Sequence, residues 1–264
     1  MLKISCFVLF ALLTVGVDAA ESGAPLSPDS RFVVGELLAL DDFDVGLDRW
    51  KPELEKGGSI TARDGQLEID VPGGATVWLK TSLTGPLLIS YDAVVVAAGG
   101  PNDRVSDLNC FWMAHDMRSP DDIFVTERNG RFAEYDRLAC YYVGYGGNAN
   151  TTTRFRRYVG EQGNRPLRDE HNLSAKEFLL VPNQLVRVHL VAAGSTIGYY
   201  ANGRRVFAYD DPEPSTSGWF AFRTVTNHLR VKNFRVYRLH SQLEAGREPR
   251  PGPAERKLSH GQGG

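Results

Sequence analysis

The stretch Tyr141–Tyr158, YYVGYGGNANTTTRFRRY, constrains the fold most: it alternates with a period of two yet holds almost no aliphatic residue. A period of two is the signature of strands. A strand that only closed a core would spend its inward positions on Val, Ile and Leu. Here one face of the second half carries Thr152, Arg154, Arg156 and Tyr158, and the other Thr151, Thr153, Phe155 and Arg157. Arginines two apart share a face, so Arg154 and Arg156 can converge on one anionic group. The stretch reads as the polar floor of a cleft suited to a sugar.

Composition sets the outer bounds. The chain has 264 residues, is 42% hydrophobic and carries a formal charge of −2, which gives no electrostatic footprint for nucleic acid or an anionic membrane. Residues 1–19 have the pattern of a cleaved signal peptide: Lys3, then the apolar Ile4–Val17, then small residues around Ala19. The apolar run is short for a membrane span, so the expected location is secreted or periplasmic, an uncleaved anchor being the alternative. Cys6 leaves with that segment. Cys110 and Cys140 remain, either as a disulfide or as buried thiols.

Residues 20–35 read as a flexible lead, 36–240 as one domain and 241–264 as a disordered tail rich in Pro, Gly and charge. Within the domain, Asp64-Gly65 and Asn202-Gly203 mark two-residue hairpins, and Leu87–Val96 is nearly continuous in apolar residues, as a strand covered on both faces should be. Gln184–Ala192 alternates with Val186, Val188 and Leu190 inward and Arg187 and His189 outward. No long amphipathic helix interrupts this series. The expected fold is all-β, an antiparallel β-sandwich of jelly-roll type with a concave face, acting as a monomer. The acidic turn after Leu40 (Asp41, Asp42, Asp44) can gather carboxylates around a structural Ca²⁺ or remain a solvated turn.

Three segments together resemble a known family: DDFDVGLDRW at Asp41–Trp50, the Asn202-Gly203 hairpin, and GWFAFRTVTNHLRVKNFRVYRL at Gly218–Leu239. They resemble the concanavalin A-like lectin/glucanase jelly rolls over about Leu37–Leu239. The central NCFWMAHD (Asn109–Asp116) and Tyr141–Tyr158 blocks are more similar to secreted polysaccharide-utilisation proteins, the YesU-like and 3-keto-disaccharide hydrolase-like groups. The resemblance implies a carbohydrate-facing concave sheet and work on acidic plant or algal glycans. It supplies no set of catalytic residues.

The residues permit several chemistries. β-Elimination from a uronate needs a cation or amide on the carboxylate, a base for the C5 proton and an acid for the departing oxygen. The expected catalytic set is Tyr141, Tyr145, His228 and Arg154; Asn109, Trp112, His115, Asn148, Arg156 and Arg223 are expected to bind substrate. His171 is a further candidate base, and Trp219 a further stacking surface. A retaining glycosidase would need two carboxylates about 5–5.5 Å apart; Glu127, Glu134 and Asp136 are the candidates, the last two sharing a face if that segment is extended. No cofactor is required for elimination. The expected function is cleavage of an acidic poly- or oligosaccharide, the alternatives being a non-catalytic glycan-binding module or a glycoside hydrolase.

Overall fold

The structure is a computed structural model that describes residues 26–245. The expected signal peptide, 1–19, lies outside these residues, as does most of the expected tail, 241–264. Sixteen strands follow one another: β1 (Phe32–Asp41), β2 (Trp50–Leu54), β3 (Ser59–Arg63), β4 (Gln66–Val71), β5 (Ala75–Leu79), β6 (Leu83–Thr84), β7 (Leu87–Val95), β8 (Leu108–Asp116), β9 (Leu138–Gly146), β10 (Thr152–Val159), β11 (Asn172–Leu173), β12 (Leu185–Ala193), β13 (Thr196–Ala201), β14 (Arg204–Asp210), β15 (Ser217–Thr224) and β16 (Asn227–Ser241). They form two eight-stranded antiparallel sheets. The first runs β14-β13-β12-β7-β16-β4-β3, with β1 beside β16; the second runs β11-β10-β9-β8-β15-β5-β2, with β6 beside β15. The all-β antiparallel sandwich expected from the sequence is what the structure shows.

The hairpin residues do what their chemistry allows: Asp64 and Gly65 have φ of 53° and 75°, and Asn202 and Gly203 have 51° and 77°. Two consecutive left-handed residues match the twist of the flanking strands. The sheets then close on alternate residues, Leu67, Ile69 and Val71 from β4 and Val186, Val188 and Leu190 from β12 sharing one core with Trp112, Tyr141 and Phe155 of the second sheet. Trp50 sits at the centre of an aromatic cluster, stacked on Phe222 at 5.2 Å and edge-on to Phe234 at 5.1 Å. Its indole N–H donates to Asp41 Oδ2 at 2.8 Å, while Asp41 Oδ1 accepts the Phe43 N–H at 2.7 Å. Asp42 pairs with Arg235 and Asp44 is exposed, so the three acidic residues point to different partners. Among the described residues no three His, Cys, Asp or Glu gather as a metal group.

Two readings change here. The flexible lead ends before residue 35, because Asp29 is held by Arg31 and by the Tyr200 hydroxyl at 3.0 Å and β1 starts at Phe32. Cys110 and Cys140 are free thiols that belong to two different apolar clusters. Burial pushes the Cys110 thiol up to about 12 and raises that of Cys140 as well, so both are held as inert thiols.

The segment 117–137 lies over the outer face of the second sheet and is fastened there by a buried cation. The Arg128 side chain is fully buried, donating to Glu53 Oε1 at 3.0 Å and to Asp116 Oδ2 at 2.9 Å. Glu53 also accepts from Trp78 Nε1 at 3.0 Å and the Tyr135 hydroxyl at 2.7 Å. Each charge here is satisfied, the condition under which a buried ion pair is tolerated.

A second fastening holds the connection between β7 and β8 to the opposite sheet. His228 on β16 is hydrogen-bonded through Nδ1 to Asp103 Oδ1 at 2.8 Å and through Nε2 to Glu68 Oε1 at 2.9 Å. Burial works against its charge, but the two carboxylates outweigh burial and raise its pKa. Asp103, held by the N–H groups of Ala98 and Gly100 and then by His228, is lowered to about 2.

Two predictions follow from these fastenings. Arg128→Ala leaves Glu53 and Asp116 buried without their cation and should cost about 3–5 kcal/mol in urea unfolding; a loss under about 1 kcal/mol would show that segment 117–137 is held by other contacts. For His228, the raised folded pKa means its contribution is complete below the unfolded value of about 6.5 and fades as pH rises through the folded value. The stability gap between the wild type and His228→Gln should therefore be larger at acidic than at alkaline pH. A gap independent of pH would contradict the ion pairing.

Candidate functional site

The pairing of the second sheet sets two residue rows on its outer face. The first runs Asn172, Arg154, Gly144, Asn109, Arg223, Thr76, Glu53, each opposite the next on neighbouring strands from β11 to β2. It is polar from end to end except at Gly144. The second runs Arg156, Tyr142, Phe111, Ala221, Trp78, Lys51 and holds three aromatic residues between its charged ends. Such rows follow from register alone, since directly opposed residues share a face.

Segment 117–137 covers the end of these rows nearest β2 and leaves the end nearest β11 open. The open part is a cleft of about 200 Å³ whose walls include Asp107, Asn109, Phe132, Tyr142, Arg154 and Arg156. Gly144 lies in its floor, where the Tyr142 hydroxyl comes within 3.0 Å of the place a Cβ would occupy. Any side chain there would displace that ring. The rim is the turn Gly147–Asn150, in which Asn148, Ala149 and Asn150 have φ of 53°, 57° and 59°. Successive left-handed residues are rare, more so for Ala. They are held because both ends of the Asn150 amide bond to the Leu180 backbone, Oδ1 at 2.8 Å and Nδ2 at 2.9 Å. Asn148 Nδ2 donates to Thr152 Oγ1 at 3.0 Å, and both residues line the cleft.

The cleft is electropositive. Arg154 donates its Nε to Asn172 Oδ1 at 2.8 Å, and Arg156 donates Nη1 to the Arg165 carbonyl. Among the described residues neither guanidinium has a carboxylate partner. Burial and the neighbouring positive charge of Arg154 pull the Arg156 pKa down. Such a pair gains most from an anion that binds both. Asp107 is the one carboxylate in the lining, and its oxygens already accept from Ser106 Oγ at 2.5 Å and Asn109 Nδ2 at 3.3 Å. The Tyr142 hydroxyl makes no hydrogen bond among the described residues, and burial pushes its pKa well above that of an ordinary tyrosine, so it keeps its proton.

Of the residues singled out in the sequence, Arg154, Arg156, Asn109 and Asn148 come together here. Arg223 lies on the same row beside Asn109 but is buried under segment 117–137, donating to Thr76 Oγ1 at 3.1 Å and to the Gly130 carbonyl at 2.6 Å. Tyr141 and Tyr145 do not face the cleft; both belong to the core between the sheets. The reason is parity: Arg154 and Arg156 oppose Gly144 and Tyr142, so the tyrosine on their face is Tyr142. Tyr141 instead donates its hydroxyl to Asp211 at 2.7 Å. Trp112 is likewise in the core, packed on Tyr141 at 5.5 Å.

His228 lies on the first sheet, engaged with Asp103 and Glu68. His115 is held between the carbonyls of Pro120 and Ser217 at 3.0 and 2.9 Å, outside the cleft lining, with Trp219 5.6 Å from its ring. His171 is buried against Phe155 at 4.9 Å. Beyond Trp112 the alternation of β8 fails, because Met113 has φ 51° and forms a bulge that turns two successive residues inward. Gly218, φ 144°, lies against that bulge where no Cβ fits.

The carboxylates considered for hydrolysis are not paired across a cleft. Phe132–Tyr135 is a 3₁₀ turn rather than a strand, which separates Glu134 from Asp136. Glu134 accepts the Asn129 N–H at 2.8 Å, Asp136 is paired with Arg165 at 2.5 Å, and Glu127 is exposed.

The fold is shared widely. The chain is similar to a Bacillus subtilis protein of unknown function with a galectin-like fold (TM-score 0.60, 18% identity, covering 80% of this chain and 100% of that one). It is also similar to β-agarase A from Zobellia galactanivorans (TM-score 0.54, 13% identity, 85% and 99% covered) and to endo-β-1,3-glucanase from Pyrococcus furiosus (TM-score 0.51, 11% identity, 80% and 95% covered). At these identities the likeness shows the sandwich and nothing of the chemistry. No curated protein matches the chain. The family match takes in most of both sheets, from the end of β4 to the middle of β16, and on that match the chain belongs to the family described as Domain of unknown function (DUF6250), through residues 69–234.

Proposed function

We propose that this is a carbohydrate-binding protein of the YesU-like kind, acting outside the cytoplasm, whose cleft holds an acidic residue of a glycan. The observation that carries the reading is the pair Arg154 and Arg156, side by side in a cleft, neither having a carboxylate partner among the described residues. A carboxylate or sulfate on a sugar supplies what the protein does not. Tyr142 and Phe132 add aromatic faces for the apolar side of a sugar ring. The cleft volume is below the usual range of enclosed small-molecule pockets, about 300–1,000 Å³, which suits one sugar unit of a longer chain. The sandwich likeness to an agarase and a glucanase is in keeping with a saccharide partner.

Elimination is the second reading, favoured by the Tyr142 hydroxyl. In that reaction the C5–H bond breaks, its electrons form the C4–C5 double bond, and the C4–O bond breaks as the departing oxygen takes a proton. Tyr142, kept protonated, suits the last transfer. The base would fall to Asp107, the one carboxylate in the lining, already tied to Ser106 and Asn109. Binding is therefore the reading the geometry supports better.

Thermal shift and titration calorimetry with oligogalacturonate, oligoalginate and oligoglucuronate test binding. At least one should bind, and Arg154→Ala and Arg156→Ala should each weaken it by about tenfold or more. Equal affinity for neutral oligosaccharides would contradict the assignment. If the ultraviolet absorbance of an unsaturated uronate grows on incubation, elimination takes precedence, and Tyr142→Phe should then abolish turnover while sparing affinity. Turnover that survives Tyr142→Phe would remove that tyrosine from the chemistry.

A further inference from the structure

The polar row across the second sheet is bonded within itself on either side of one break. Arg154 bonds Asn172 at one end, and Arg223 bonds Thr76 at the other. Between them, Asn109 on β8 and Arg223 on β15 are directly opposed, and each has a buried polar atom with no partner among the described residues: Oδ1 of Asn109 and Nε of Arg223. Both residues are almost wholly buried, at 2% and 1% exposure. The Asn109 amide is not free to turn round. Its Nδ2 donates to Asp107 Oδ1 at 3.3 Å, and a flip would set Oδ1 against that carboxylate. Of the two residues, Asn109 lies in the lining of the cleft that holds Arg154 and Arg156, and Arg223 lies behind it under segment 117–137.

A hydroxyl is the group that fits the Asn109 acceptor: it donates to Oδ1 from within the cleft. A carboxylate would be repelled by Oδ1, and an ammonium by the guanidinium groups of Arg154 and Arg156 in the same cleft. We infer that Asn109, oriented by Asp107 and backed by Arg223, is the specificity-determining residue of the cleft, and that it reads a hydroxyl of the ligand whose anionic group lies on Arg154 and Arg156. This rests on the anionic-saccharide reading and narrows it: the ligand carries acid and hydroxyl together, as a uronate does, and a bare carboxylic or sulfonic acid would be a poor ligand. Sites that demand a hydroxyl discriminate sharply, because its absence leaves the protein's acceptor unpaired.

Three small probes on the full chain test this: glucuronate, galacturonate and cyclohexanecarboxylate, the last having the ring and the acid but no hydroxyl. At least one uronate should bind about tenfold or more tightly than cyclohexanecarboxylate. Asn109→Ala should erase that margin. Equal affinities in the wild type, a comparison that needs no variant to fold, would overturn the inference while leaving the anion site in place. A hydroxyl preference that persists in Asn109→Ala would overturn it too. If none of the three binds, and Arg154→Ala changes nothing, the anionic reading itself fails and takes the inference with it.

Discussion

The architecture of the cleft depends on one buried ion pair network. Arg128 enters the second sheet's outer face between Glu53 and Asp116, and that placement brings segment 117–137, with its Tyr135, down over Trp78 and Phe111. An eight-stranded sheet facing water would leave a wide aromatic surface exposed, which folded proteins rarely tolerate. Covering the β2 side with a strapped segment buries that surface and leaves only the β10 side open. The charges under the strap bind one another, and those in the cleft do not. The same face therefore carries a structural cation, Arg128, and two cations, Arg154 and Arg156, with no carboxylate partner among the described residues.

The cleft is also held from outside its own sheet. Asn227 of β16 donates to the Ser106 carbonyl, and the Asp107 N–H donates to the Gly146 carbonyl at 3.1 Å. These bonds tie the connection carrying Asp107 and Asn109 to the end of β9, next to the left-handed rim turn. A binding surface braced in this way spends little of its interaction energy on ordering loops. Its small size follows in part from Gly144, where the Tyr142 ring leaves no room for a bulkier residue.

Much of this was legible in the sequence, and the part that was not has a physical cause. The strands of the central block, the two hairpins and the shared face of Thr152, Arg154 and Arg156 follow from alternation and turn chemistry, which are local. Which tyrosines join those arginines depends on the register between β9 and β10. Register is not local: a shift of one residue exchanges Tyr141 and Tyr145 for Tyr142 and Gly144. The spacing Tyr-x-Gly in Tyr142–Gly144 was the available signal, because a glycine inside a strand marks a close approach and the tyrosine two before it shares its face. His228 looked like a site residue from its place at a turn near Arg223, yet neighbours in sequence alternate between faces and β16 belongs to the other sheet. Asp41 looked like a ligand for a cation, but Trp50, nine residues on, supplies the donor that uses its carboxylate.

What separates a binding cleft from a catalytic one on this fold is the number of groups that can move a proton. The cleft has two fixed cations, a phenol held protonated by burial, and one carboxylate already hydrogen-bonded to Ser106 and Asn109. Fixed cations bind an anion equally well before and during a reaction, and uniform binding of that kind lowers a dissociation constant without lowering a barrier. Acceleration would require the Arg154–Arg156 pair to bind the carbanion-like state better than the carboxylate it starts from. Only a base placed over C5 could draw on that difference. Because Asp107 is turned toward Asn109, the amide keeps its Oδ1 free for a hydroxyl. The same bond that sharpens recognition occupies an oxygen of that carboxylate.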